Sequence, residues 1–163
     1  MLQHLTAFQN SMADARGMIA TAHQQDAAGT YLWHSAARSM FVESSFMKIF
    51  ISWETFLEKT FIDYMMGLNS MKGAALTRYV FPMNPSHVND MLMGSGQRAF
   101  VDWSTPETVR KIGRMCFANG DPYETVLSSI HTDLLDLKTV RNAASHVSST
   151  TTAALDALAT RRL

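Results

Sequence analysis

The segment from about Ser35 to Met66 constrains the fold more than any other part of the chain. It contains neither Gly nor Pro, and apolar side chains recur in it every three or four residues, namely Phe46, Phe50, Trp53, Leu57, Phe61 and Tyr64. A second set, Val42, Ile49, Phe56 and Met66, widens the apolar face. This spacing predicts one helix of roughly 48 Å, the spine of a helical bundle, with Gly67 as its C-terminal cap.

Most of the remaining chain is also patterned for helices. The segment from about Leu2 to Ala28 has one apolar face, and we expect Gly29 to end it. Gly and Pro interrupt residues 68–104, which predicts an irregular insertion that includes at most a short helix from Asn84 to Leu92. The sequence therefore predicts an all-α fold in a single domain, residues 1–163, which is long enough for one core.

Two helix-start signals follow the irregular stretch. Ser104-Thr105-Pro106-Glu107 has a capping Ser, a first-position Pro and a Glu three residues after the cap, and Asn119-Gly120 would close that helix. Asp121-Pro122-Tyr123-Glu124 repeats the pattern and should open a long helix. Its expected buried stripe is Val126, Ile130, Leu134, Leu137, Arg141 and Ala144. The segment Ser148 to Thr152 breaks that helix or caps a last one, from about Ala153 to Arg162.

Charge and composition narrow the class of protein. The formal net charge is zero, so any contact with RNA has to come from a local basic cluster. The single Cys116 suits a reducing compartment. No signal peptide is apparent after Met1, and Lys48 and Lys59 interrupt the longest apolar run. We expect a cytoplasmic protein that does not span a membrane.

The motif Arg141-Asn142-Ala143-Ala144-Ser145-His146 combines a permanent cation, an amide and an imidazole. On an ideal helix Asn142 and His146 share a face, so the amide can orient the ring. Arg141 and His146 are separated by roughly 140°. One helix therefore aims both at the same atom only if it ends or bends near Ser145, whereas two apposed copies of the helix would gather both groups in one cleft.

These side chains suit phosphodiester cleavage that needs neither a metal nor another cofactor. An imidazole can take a proton from a ribose 2′-hydroxyl or give one to the leaving 5′-oxygen. The guanidinium of Arg141 can hold the phosphate and stabilise the transition state. The candidate catalytic residues are Arg141, Asn142 and His146. Candidate substrate-binding residues are Lys138, one turn before Asn142, and the basic patch Arg110, Lys111 and Arg114.

A structural interpretation of the motif competes with this one. Nine Arg and six His in the chain give a chance Arg-x4-His spacing about a third of the time, so the spacing alone favours a structural Arg and a helix-terminal His. Two features favour function: Arg141 lies on the predicted apolar stripe, and Asn142 follows it directly.

The motif resembles the Arg-x(4–6)-His signature of HEPN domains (higher eukaryote and prokaryote nucleotide-binding), in which a polar residue often follows the Arg. The stretch from Phe46 to Glu58, with Trp53-Glu54, is similar to the long helix of the RiboL-PSP bacterial branch. The resemblance implies a bundle of long antiparallel helices that dimerises through the motif helices. It also implies a metal-independent endoribonuclease for single-stranded RNA, used as a toxin or in phage defence, with an antitoxin or another regulatory protein as a partner. Arg141 and His146 then take the catalytic roles, and Asn142 supports them.

The sequence leaves two alternatives to a ribonuclease. A non-catalytic HEPN module would bind a nucleotide, RNA or a protein partner through the same cleft, and the zero net charge favours it. A purely structural helical adaptor would explain the twelve Met residues as core but leaves Arg141 without a role.

Overall fold

The computed structural model describes residues 1–93, 101–146 and 148–162. In that part of the chain it is all-helical, with seven α-helices and no β-strand, which confirms the predicted all-α class. The helices are α1 (Leu2–Ala22), α2 (Ser35–Met65), α3 (Pro85–Met93), α4 (Pro106–Cys116), α5 (Tyr123–Ser129), α6 (His131–Ser145) and α7 (Ser149–Arg162). None of them is long and apolar enough to cross a membrane.

The chain divides into two compact units. Unit 1 comprises Met1–Leu2 and Leu57–Thr139, and unit 2 comprises Gln3–Phe56 and Val140–Leu163. The expectation of a single domain stays a prediction.

Helix α2 agrees with its predicted bounds to within one residue. Its C-terminus is closed by Gly67, whose φ of 90° lies in the left-handed region. The Gly67 N–H donates to the Tyr64 carbonyl at 3.0 Å, and the Leu68 N–H donates to the Asp63 carbonyl at 3.0 Å. These two bonds form a Schellman motif, which confirms Gly67 as the cap.

An aromatic cluster forms the core of unit 1. The ring centroid of Phe61 lies 4.9 Å from that of Tyr123 and 5.2 Å from that of Phe117. Phe61 and Phe117 are fully buried, and each such side chain contributes about 2–3 kcal/mol through its burial. The Tyr123 hydroxyl donates to Thr60 at 3.4 Å, so the one polar atom of that ring is satisfied. Cys116 is buried beside this core, and burial raises the pKa of its thiol.

The two helix-start signals were only partly correct. Pro106 does occupy the first position of α4, but Thr105 rather than Ser104 is at the N-cap position. The hydroxyls of Ser104 and Thr105 both donate to Asp102, so neither side chain caps the helix. Helix α5 begins at Tyr123, so Pro122 precedes the helix. The carboxylate of Glu124 cannot complete a capping box because two arginines occupy it, as described below.

In unit 2, α1 packs on α2 through aromatic contacts. The Phe8 ring lies 5.6 Å from that of Phe56 and 5.9 Å from that of Trp53. Farther along α1, Ala15 and Ala22 are fully buried. The Lys48 ammonium also pairs with the Asp14 carboxylate at 2.8 Å, joining the exposed edges of the helices.

Helix α1 ends at Ala22, six residues before its predicted end. The reason is a competing local turn: Oδ1 of Asp26 accepts hydrogen bonds from the backbone N–H groups of Ala28 and Thr30, both at 2.9 Å. Gly29 lies inside this turn at a φ of 79° rather than at a helix end.

The predicted long motif helix is two helices, α5 and α6. Ile130, at φ −118° and ψ 19°, separates them, and the Ser129 hydroxyl donates to the Val126 carbonyl in place of a regular helix continuation. This interruption changes the register of the apolar face. Leu134 is buried as predicted, but Val126 is 50% exposed and Leu137 is 43% exposed.

The irregular stretch and the last helix also differ in detail from expectation. Helix α3 matches the short helix that was predicted from Asn84 to Leu92. The His87 N–H donates to Oδ1 of Asn84 at 2.9 Å. Residues 94–100 of the predicted insertion lie outside the described residues. Helix α7 begins at Ser149, not near Ala153, because Ser148 is its cap.

Candidate functional site

The Arg141–His146 motif lies at the C-terminus of α6, in unit 2. Ser145 is the last helical residue, and the His146 N–H still donates to the Asn142 carbonyl at 2.9 Å. Arg141 and Asn142 are half-buried, whereas His146 is exposed. For Arg141 and His146 of one helix to act on the same atom, the sequence required the helix to end or bend near Ser145. Helix α6 does end there.

The guanidinium of Arg141 has free hydrogen-bonding capacity. Its Nη1 makes one long hydrogen bond, 3.4 Å, to Oδ1 of Asn142. Its Nε is buried and has no hydrogen-bond partner in the described part of the chain. Within residues 1–93, 101–146 and 148–162, Arg141 also forms no ion pair with a carboxylate. A buried donor without an acceptor costs about 1–3 kcal/mol, a cost that a bound anion would remove.

The side chain of Asn142 turns toward Arg141. The predicted role for this amide was to orient the His146 ring, but the hydrogen bond that links it to His146 comes from the backbone. Asn142 thus connects the other two motif residues, through its side chain on one side and its carbonyl on the other.

The backbone of His146 is held by the cap of α7. The Thr151 hydroxyl lies 2.6 Å from the His146 carbonyl oxygen. Thr151 and Ser148 cap each other: the Thr151 N–H donates to the Ser148 hydroxyl at 3.2 Å, and the Ser148 N–H donates to the Thr151 hydroxyl at 3.0 Å. Thr151 was not among the predicted site residues, and its hydroxyl takes the place that the Glu or Gln side chain has in a capping box.

Ser145 ties the motif turn to α2. Its hydroxyl lies 2.8 Å from the Arg141 carbonyl oxygen and 3.4 Å from the sulfur of Met47. The small side chain of Ala144 leaves an open groove of about 550 Å³ beside this contact. The α2 side chains that line it recur every four residues and are Glu43, Ser44, Met47, Lys48, Ile51 and Ser52. The motif therefore borders a surface depression that contains both apolar and hydroxyl groups.

Lys138, a predicted phosphate ligand, is engaged inside unit 1. Its ammonium donates to the Thr105 hydroxyl and lies 3.4 Å from a carboxylate oxygen of Asp102. Burial raises the pKa of Asp102, but hydrogen bonds from Ser104 and Thr105 and the charge of Lys138 outweigh it and lower this pKa to about 2. A phosphate would have to compete with that carboxylate for Lys138.

The basic patch on α4 is also largely paired. Glu124 accepts hydrogen bonds from Arg110 through one carboxylate oxygen and from Arg114 through the other, the latter at 2.5 Å. Hydrogen bonds from Arg110, and next from Arg114, hold the pKa of Glu124 below its usual value. Lys111 is exposed on the same helix. Of the three predicted contacts on α4, Lys111 is thus the one most available to a ligand.

No protein-family model, curated protein or solved structure matches the chain. Among the described residues, no three His, Cys, Asp or Glu side chains are grouped so that they could hold a metal ion.

Proposed function

We propose that the protein is a metal-independent endoribonuclease of the HEPN type that cleaves single-stranded RNA. The observation that carries this proposal is the guanidinium of Arg141, half-buried with its Nε unsatisfied by any described residue, at a helix end that exposes His146. A phosphate diester supplies the oxygen acceptors that such a guanidinium lacks.

The reaction is an internal transesterification. The ribose 2′-oxygen forms a bond to phosphorus while the bond from phosphorus to the 5′-oxygen breaks. His146 takes the proton of the 2′-hydroxyl or supplies one to the leaving 5′-oxygen. Arg141 binds the phosphate and stabilises the charge that develops in the transition state. Asn142 holds the guanidinium in place.

The active form is a homodimer that places two motif ends in one cleft. Ala143 and Ala144 are small enough for a close approach of the two α6 helices. Following the resemblance to HEPN domains, the protein acts in the cytoplasm as a toxin or phage-defence effector, and an antitoxin or another regulatory protein controls it. A mixture of Arg141→Ala and His146→Ala subunits should recover part of the activity, whereas two self-contained sites would recover none.

The test of the chemistry is incubation of the purified protein with end-labelled single-stranded RNA in excess EDTA. The expected products carry a 2′,3′-cyclic phosphate and a 5′-hydroxyl, and RNA methylated at its 2′-oxygens should resist cleavage. Products with a 3′-hydroxyl, or an absolute requirement for added metal, would exclude this mechanism.

A non-catalytic binding module is the second candidate. It is supported by the pairing of Arg110, Arg114 and Lys138 with carboxylates, which leaves few free cations for a long RNA strand. Such a module would bind RNA or a nucleotide without cutting it. Growth arrest on expression that His146→Ala relieves would argue against it.

A further inference from the structure

Residues 77–83 of unit 1 expose three large apolar side chains close together in sequence. Tyr79 is 58% exposed, Phe81 is 71% exposed and Met83 is 81% exposed. They belong to the irregular stretch, to which the sequence assigned no function. Large apolar side chains that are exposed next to one another are a feature of binding surfaces.

The backbone beneath these rings is anchored. The Tyr79 N–H donates to the Cys116 carbonyl at 2.8 Å, and the Ala118 N–H donates to the Thr77 carbonyl at 2.9 Å, so the segment pairs with the end of α4. Pro82, between Phe81 and Met83, is buried. The two aromatic rings are therefore presented from a segment that is fixed on both sides.

A cation lies beside the Phe81 ring. The guanidinium carbon of Arg78 lies 5.1 Å from the centroid of the Phe81 ring, and Nη1 of Arg78 donates to the Met65 carbonyl at 2.6 Å. Residues 67–84 contain Lys72 and Arg78 but no Asp or Glu. In a chain of zero net charge, this stretch of sequence is locally basic and also carries two exposed aromatic rings.

We infer that Tyr79 and Phe81, with Arg78 and Lys72, form a stacking platform for the bases of single-stranded RNA. Unpaired bases stack on exposed aromatic side chains regardless of sequence, and neighbouring cations attract the backbone phosphates. The choice of RNA as the ligand rests on the proposed function. An anionic ligand is favoured in either case, because the segment has two cations and no carboxylate.

The test measures binding of a fluorescent oligouridylate of about 16 nucleotides whose 2′-oxygens are methylated, so that cleavage cannot interfere. Phe81→Leu keeps an apolar side chain but removes the ring, and it should weaken binding at least about fivefold. Phe81→Trp should retain or strengthen binding. Leu32→Ser, at an apolar position of unit 2 that is 58% exposed, is the control and should bind like the wild type.

The platform is excluded if the wild type does not bind the oligonucleotide, or if Phe81→Leu binds it within about twofold of the wild type. It is equally excluded if the wild type binds phosphatidylserine-containing vesicles but not the oligonucleotide, and Phe81→Leu keeps the vesicle binding. If the wild type cleaves RNA and Phe81→Leu binds the oligonucleotide as well as the wild type does, the platform proposal is wrong and the ribonuclease proposal stands. If binding depends on the Phe81 ring but the wild type cleaves no RNA, the platform proposal stands and the ribonuclease proposal is wrong.

Discussion

The hydroxyl of Thr151 lies 2.6 Å from the carbonyl oxygen of His146. On the other side of the same residue, the His146 N–H is bonded to the carbonyl of Asn142 at 2.9 Å. The backbone of the candidate proton-transfer residue is thus held both by the last turn of α6 and by the first turn of α7. This arrangement makes Thr151 a positioning residue for His146.

Thr151→Val should lower the rate of RNA cleavage by about tenfold while leaving the affinity for RNA unchanged, since a misplaced imidazole affects the reaction more than binding. Thr152→Val, at the neighbouring exposed position of α7, is the matched control. Separate measurements of kcat and KM distinguish an effect on the reaction from an effect on RNA binding. An equal loss in both variants would indicate a general weakening of α7 instead.

Gly67→Ala should destabilise the protein by more than about 1 kcal/mol. A Cβ at this position would lie 2.8 Å from the guanidinium of Arg78, on a residue with a φ of 90°. Gly17→Ala, in the interior of α1 where nothing lies within 4 Å of the added atom, should stabilise it by about 0.5–1 kcal/mol. Urea unfolding measures both, and a neutral Gly67→Ala would contradict the capping assignment.

The ion pair between Asp102 and Lys138 should make stability depend on pH. The pKa of Asp102 is lowered from 3.8 to about 2, so its contribution is complete above pH 3.8 and is lost as the pH falls through 2. Because the side chain is 44% exposed, solvent screening limits that contribution to about 1 kcal/mol. Asp102→Asn should therefore be less stable than the wild type at neutral pH and nearly equal to it near pH 2.

The matched control for that comparison is Asp90→Asn on the exposed face of α3. Thermal unfolding should show only a small difference between this control and the wild type. A difference for Asp102→Asn that grows as the pH falls would show that the carboxylate does not act as described.

Local patterns in the sequence predicted the helices well where periodicity and backbone chemistry agree. Helix α2 has an uninterrupted apolar pattern and a glycine at its end, and both of its bounds were predicted to within one residue. The end of α1 was missed because Asp26 captures two backbone N–H groups in a turn that competes with the helix.

The candidate site residues stay a prediction from the sequence, and their contacts could not be predicted. The motif identified Arg141, Asn142 and His146, whereas the partners of Lys138, Arg110 and Arg114 depend on carboxylates that are distant in the sequence. Charge patterning along one helix cannot show such pairing. The aromatic platform was not predicted either, because the sequence does not show whether an aromatic side chain is exposed or buried.

The most direct test of the account is the single-turnover rate of single-stranded RNA cleavage in EDTA by Arg141→Ala and His146→Ala. Each should reduce the rate at least about a hundredfold while thermal unfolding stays within a few degrees of the wild type. Added imidazole should restore part of the activity of His146→Ala, because the position is exposed. Arg16→Ala and His23→Ala, at exposed positions of unit 2, should cleave like the wild type. Cleavage that survives both motif substitutions would contradict the central claim.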